Sequence, residues 1–156
     1  MSQKTNVARL CDNASVEYKL IPYDTLDGNN DGKSVAEKLN ISEDELFKTL
    51  VTIGLSGEIY VFVIPVSEEL DLKKASKSIN EKSIQMLPLK KLLPLTGYVK
   101  GGCSPLGMKK QYPTVFDETI VLLDKITFNA GKIGLQLQLS VDDLSKLINY
   151  KIAELS

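Results

Sequence analysis

Residues 96–110 read TGYVKGGCSPLGMKK, and from Gly101 onward ten residues hold three glycines, a proline, a cysteine, a serine and a lysine pair. Neither a helix nor a strand is built this way, because glycine frees the backbone and proline removes an amide donor. The stretch is therefore a loop, and the question is what it is for. Two readings are open for Gly101-Gly102: a nest of backbone N–H groups that approaches an anion closely, or a plain tight turn. Gly131-Lys132-Ile133-Gly134 carries the same two readings. Cys103 has Lys100, Lys109 and Lys110 near it in sequence, which favours a thiolate, but no adjacent base to activate it. The other reading is a small, partly buried hydrophobe, and Cys11, on an apolar helix face, reads as core in the same way.

The 156 residues suit one domain, 1–156, with a hydrophobic core of its own. The longest apolar run, IYVFVIPV at 59–66, has the length of a buried strand rather than a membrane span. Residues 1–10, MSQKTNVARL, lack the apolar centre of a signal peptide, so a cytoplasmic location with free thiols is expected. There is no histidine. That excludes a Ser-His-Asp triad and a Cys-His dyad, and it removes the commonest zinc ligand. Between Lys73 and Lys110 stand nine lysines and a single acid, Glu81, while the whole chain has a net charge of −1. Such a segment reads as a basic face for phosphates, or as scattered solvated lysines. Arg9 is the one arginine, so bidentate guanidinium contacts contribute little and binding rests on salt-sensitive lysine charge.

Along the chain, 4–13 predicts a short helix and 15–23 a strand, followed by a polar loop at 24–32. Ser34 with Glu37, and Ser42 with Glu45, have capping-box spacing and predict helices over 34–40 and 42–48. Residues 49–55 and 58–66 predict a hairpin around Ser56-Gly57. A basic helix capped by Asp71 spans 71–79, and a short helix spans 88–93. Strands are predicted at 114–116, 119–123, 126–129 and 134–140. In the last, Leu135, Leu137 and Leu139 face inward and Gln136 and Gln138 outward. Ser140 then caps a C-terminal helix. The mixture predicts an α+β fold: a twisted, mainly antiparallel, barrel-like sheet surrounded by helices. Lys48, where a helix meets a strand, reads either as a ligand for a phosphate or carbonyl oxygen or as a cation answering the helix dipole.

Taken together, the stretches KTNVARL (4–10), FKTLV (47–51), VFVIPV (61–66), LDLKKASKSI (70–79), TGYVKGGCSPLGMKK (96–110) and GLQLQLSVDDL (134–144) resemble the YbaK/EbsC family. These are free-standing relatives of the editing domain of prolyl-tRNA synthetase, and the likeness is to the Cys-tRNA(Pro) deacylase branch. The resemblance implies the YbaK/prolyl-tRNA synthetase-associated domain fold, and hydrolysis of the ester joining a wrong amino acid to tRNA(Pro), without metal or cofactor. It implies Lys48, Gly101 and Gly102 as catalytic, and Tyr23, Thr49, Ser104, Asn129 and Gly131 as substrate-binding. Lys73, Lys74, Lys77, Lys109 and Lys110 become the candidate tRNA contacts, and prolyl-tRNA synthetase a candidate partner in a ternary complex. The family pattern SGGxRG is here NAGKIG (129–134), so Asn129 replaces a serine and Ile133 an arginine.

The implied chemistry agrees with the missing histidine. In the cysteine-specific branch the substrate's own thiol attacks its ester carbonyl, and the protein binds, orients and stabilises developing charge. Amides near Gly101 and Gly102 would face the carbonyl oxygen, while Lys48 would hold the terminal adenosine or its phosphate. The alternatives are a deacylase for another mischarged tRNA such as Ala-tRNA(Pro), with water as nucleophile, and a non-catalytic tRNA- or synthetase-binding module.

Overall fold

A computed structural model describes residues 4–156. The chain opens with helix α1 (Asn6–Asn13), whose first turn is capped by Thr5 Oγ1 accepting from the Ala8 amide, and which buries Val7, Ala8 and Cys11. Strand β1 (Tyr18–Pro22) follows, then helix α2 (Gly32–Leu39), strands β2 (Phe47–Gly54) and β3 (Ile59–Pro65), helix α3 (Leu72–Ser78) and the short strand β4 (Ile84–Met86). A 3-10 turn at Leu89–Lys91 leads into α4 (Leu92–Thr96). After the glycine-rich loop come β5 (Thr114–Asp117), β6 (Lys125–Lys132), β7 (Leu135–Ser140) and β8 (Lys151–Ala153).

The strands form two sheets. One is antiparallel, in the order β1-β7-β6; the other has five strands in the order β4-β2-β3-β5-β8. β3-β5 and β5-β8 pair in parallel, and the remaining pairs are antiparallel. An isolated parallel bridge between Leu46 and Thr127 joins the two sheets and gives the barrel-like closure. Phe47, Val51, Val61 and Val63 of the larger sheet share a core with Phe128, Leu135, Leu137 and Leu139 of the smaller one, which also takes in Val7 and Cys11 of α1. On its other face the larger sheet packs Phe62 and Ile64 against Ala75 of α3. Period-two alternation sends Phe47, Val51 and Ile53 of β2 toward the shared core and Leu50 toward the cluster around Phe62 and Ile64.

Several expected elements differ. The helix predicted at 42–48 is a turn: Ser42 Oγ accepts from the Asp44 amide at 3.1 Å, and the chain is already a strand at Phe47. One side-chain bond cannot sustain a helix against seven paired residues of the β2–β3 ladder. Lys48 thus lies in a strand, opposite Ile64, and not at a helix end. Helix α2 begins two residues early, because Asp31 rather than Ser34 is the cap. Residues 118–122 are a 3-10 helix instead of a strand, started by Asp117, whose carboxylate takes the Thr119 amide and hydroxyl at 3.1 and 2.7 Å. The predicted C-terminal helix is a 3-10 segment, Val141–Lys146, followed by β8. β8 and β4 are three-residue strands whose neighbours supply the pairing and whose own sequences carry no periodic signal. Among the described residues, no helix is long and apolar enough to cross a membrane.

Candidate active site

A cleft of about 250 Å³ lies where the two sheets meet, walled by Tyr23, Lys48, Thr49, Gly101, Cys103, Asn129 and Gln136, with Asn30, Val35 and Lys100 also lining it. Among the described residues, three buried side-chain oxygens have no hydrogen-bond partner: Asn30 Oδ1, Thr49 Oγ1 and Gln136 Oε1. All three residues line this cleft. Buried polar atoms are nearly always paired, and an orphan costs about 1–3 kcal/mol unless a ligand or water satisfies it. A second cleft of about 610 Å³, between α3 and β4, is larger but contains no such atom. The smaller cleft is therefore the site built to receive something polar.

The glycine loop forms one wall. The Gly102 amide donates to the Val99 carbonyl at 3.0 Å, closing a turn in which Gly101 sits at φ +85°. A side chain resists that backbone, so glycine is required at 101. Gly102 is required for a different reason. A Cβ there would stand 3.0 Å from the Ile133 amide nitrogen, so its absence lets the loop touch the β6–β7 turn. The expectation that Gly102 offers its amide to substrate is corrected, because that N–H is spent inside the turn. The amides of Gly101 and Cys103 make no hydrogen bond among the described residues, and both residues line the cleft.

Asn129 fastens this wall to the sheet. Its Nδ2 donates to the Gly101 carbonyl oxygen, and its Oδ1 accepts from the amides of Gly131 and Lys132. Those two bonds hold the bulge at the end of β6, where the register with β7 shifts between Asn129 and Lys132. Gly131, at φ +100°, packs against Tyr98 and Val7 and does not line the cleft. Ser104 is wholly buried; its Oγ accepts from the Leu106 amide at 3.2 Å, and it too is absent from the lining. Both lie in the loops behind the cleft wall, where they pack and hydrogen-bond within the chain. Ile133 packs its Cγ1 3.6 Å from where a Gly101 Cβ would be, covering the glycine turn with an apolar group.

Cys103 lines the cleft, and burial pushes its thiol up to about 12. The thiol stays protonated near neutral pH, the opposite of what a nucleophile needs. Lys48 makes no ion pair among the described residues and is half-buried at the cleft wall. Lys100, counted in the sequence only as part of a basic run, is a second cation at the same cleft. Gln136, expected to face solvent, is 6% exposed. Alternation placed it off the core correctly, but the face opposite the core is here the cleft. Asn30 gave no signal beyond its polar loop.

The predicted tRNA lysines scatter. Lys73 and Lys77 line the larger cleft with Lys82. Lys74 is tied to Glu154 at 2.8 Å and to the Ser156 carbonyl at 2.6 Å, and the Glu154 hydrogen bond raises its pKa. Its charge is shared with the C-terminal segment at the protein surface. Lys109 lies along Gly97 and reaches the Pro94 carbonyl at 3.4 Å; Lys110 stands 5.9 Å from the Tyr112 ring centre. Among the described residues no group of three or more potential metal-ligating side chains occurs.

Comparison with known proteins agrees with this geometry. The chain is 42% identical over 154 residues to a protein of Enterococcus faecalis provisionally named Cys-tRNA(Pro)/Cys-tRNA(Cys) deacylase EbsC, covering 99% of this chain and 94% of that one. Its fold superposes on the crystal structure of a hypothetical protein with a TM-score of 0.87 at 20% identity, covering 97% of this chain and 99% of the other. It also superposes on a provisionally described trans-editing enzyme for prolyl-tRNA synthetase, with a TM-score of 0.84 at 20% identity and 99% coverage of both chains. At that identity the likeness speaks for the fold. The sequence profile of the aminoacyl-tRNA editing domain matches residues 30–147, a span that holds every wall of the cleft except Tyr23. The chain belongs to the aminoacyl-tRNA editing domain family.

Proposed function

We propose that the protein hydrolyses the ester of a mischarged aminoacyl-tRNA, Cys-tRNA(Pro) first among them, by positioning the substrate so that its own thiol does the chemistry. The observation that carries this is a small cleft with three unpaired polar oxygens and neither a histidine nor a carboxylate among its lining side chains. At about 250 Å³ it lies below the size of drug-binding pockets, so it suits an aminoacyl group with the nucleoside at the rim.

In this reading the substrate sulfur forms a bond to its carbonyl carbon while the ester C–O bond breaks. The thiol proton goes to the departing ribose oxygen. Water then opens the resulting thiolactone to free cysteine. Negative charge that develops on the carbonyl oxygen meets the amides of Gly101 and Cys103, which do not need to reorganise. Lys48 and Lys100 at the wall attract the terminal adenosine or its phosphates. Family membership and the name of the Enterococcus relative support tRNA as the partner. Prolyl-tRNA synthetase, as a third component, would supply the tRNA selectivity, a reading supported by the fold shared with a trans-editing enzyme described for that synthetase. The test is a deacylation panel with purified protein: Cys-tRNA(Pro) is cleaved faster than Ala-tRNA(Pro), whose ester has no thiol. Faster cleavage of the alanine ester would transfer the nucleophile's role to water; tRNA binding without cleavage of either would make this a binding module.

A further inference from the structure

We propose that Lys38 is a positioning residue for this site: its ammonium latches the 24–31 loop in the one shape that presents Tyr23 and Asn30 to the cleft. This rests on the functional reading above. An ammonium carries three N–H donors. Those of Lys38 reach the Asp24 carbonyl at 2.7 Å, Asp27 Oδ1 at 2.8 Å and the Asn29 carbonyl at 2.8 Å, all on this loop. Its side chain is 19% exposed, and its Nζ also stands 6.0 Å from the centre of the Tyr23 ring. The loop has the acid- and asparagine-rich composition of a cation-binding turn, and the cation it holds is this lysine.

The loop's other anchors do not replace it. Asp24 Oδ1 is taken by the Leu26 amide, and Asp31 is taken by the first turn of α2. At the far end, Gly32 fits against Val66, where a Cβ would collide at 2.5 Å, so the loop's exit is fixed. The bonds from the Gly28 amide to the Thr25 carbonyl and from the Asn29 amide to Asp27 Oδ1 lie within the loop, and Lys38 ties those residues to α2. Asn30, between Asn29 and the Asp31 cap, has its Oδ1 buried, unpartnered and in the cleft. Lys38, on the last turn of α2, is absent from the cleft lining. It therefore acts through the loop and not on the substrate.

The test is a double-mutant cycle on steady-state deacylation. Lys38→Met and Asn30→Ala should each raise KM by about tenfold, the loss of one interaction shared by ground and transition states, with little change in kcat. The double variant should be no worse than either single one, because both remove the same contact. Lys38→Arg, which can reach the same oxygens, should recover much of the loss. Unchanged KM in Lys38→Met, or additive losses in the double variant, would overturn the latch. Amide hydrogen exchange provides a readout independent of activity. Residues 24–31 should exchange faster in Lys38→Met while β2 and β3 are unaffected, and equal exchange would overturn the proposal even in a protein that cleaves no ester. A wild-type protein inactive on every ester, with faster loop exchange in the variant, would instead remove the functional reading and leave the latch standing.

Discussion

Asn129 Nδ2 donates a 2.9 Å hydrogen bond to the carbonyl oxygen of Gly101, across 28 residues of chain. That bond sets where the Gly101–Cys103 wall stands relative to the sheet. Asn129→Asp keeps the acceptor for Gly131 and Lys132 but turns the donor into a second oxygen facing a carbonyl. The expected cost is about 1–3 kcal/mol of stability, read by thermal or denaturant unfolding. A fall in kcat/KM should accompany it, since the wall moves with the bond.

The two glycines should fail for separate reasons. Gly101→Ala forces a methyl group onto a backbone at φ +85°, costing about 1–2 kcal/mol of strain, in space that is otherwise open enough. Gly102→Ala has no such strain but drives Cβ against the backbone of Lys132 and Ile133 at 3.0–3.4 Å. Unfolding should therefore show both variants destabilised. Only Gly102→Ala should also loosen the β6–β7 turn, seen as faster hydrogen exchange at 131–134.

The lysines should separate by what they touch. Lys48→Ala should abolish ester cleavage without a large loss of stability; turnover near that of the wild type would end its assigned role. Lys73→Ala with Lys77→Ala should weaken tRNA engagement and flatten its dependence on salt, since fewer phosphates are neutralised. Lys74→Ala should leave that salt dependence unchanged, its charge already answered by Glu154. Deacylation that shows no salt dependence between low and physiological ionic strength would remove the lysine contacts altogether.

Alkaline pH should probe the buried thiols. Burial raises Cys11 to about 11 and Cys103 to about 12, and Tyr98 to about 12 with help from Cys103 beside it. A group whose folded pKa lies above its unfolded value stabilises fully below the unfolded pKa and loses that contribution as pH rises through the folded one. Stability should thus hold to about pH 9 and decline toward pH 12. Cys103→Ala should flatten part of the decline. It should also retain cleavage to within about tenfold, where loss of a true nucleophile costs several orders of magnitude.

How far the sequence could be read depended on whether a signal was local. The apolar run of β3 and the Asp71 cap of α3 carry their own evidence, and both stand as expected. Ser42 and Ser34 have capping spacing, yet which serine caps is decided by pairing and by Asp31, neither visible in a four-residue pattern. At the site, Lys48, Gly101, Tyr23, Thr49 and Asn129 were placed by motif and do meet at one cleft. Ser104, Gly102 and Gly131 sit in the same motifs but are absent from the cleft lining and contact neighbouring backbone and side chains, and a motif does not separate a wall from what stands behind it. Asn30 and Gln136 became visible only through oxygens left without partners, a property of three-dimensional burial.

The seam between the sheets has a kinetic consequence. The β2–β3 hairpin closes over a short turn, but β1 meets β7 only by joining Tyr18 to Leu139. Non-local pairing of that kind forms slowly, because the loop entropy is spent before the contacts reward it. The cleft draws Tyr23, Lys48 and Gln136 from stretches far apart in sequence, so it is complete only once the non-local pairing has formed. Regain of ester cleavage during refolding should lag behind recovery of strand structure, making enzymatic turnover a clock for the last step of assembly.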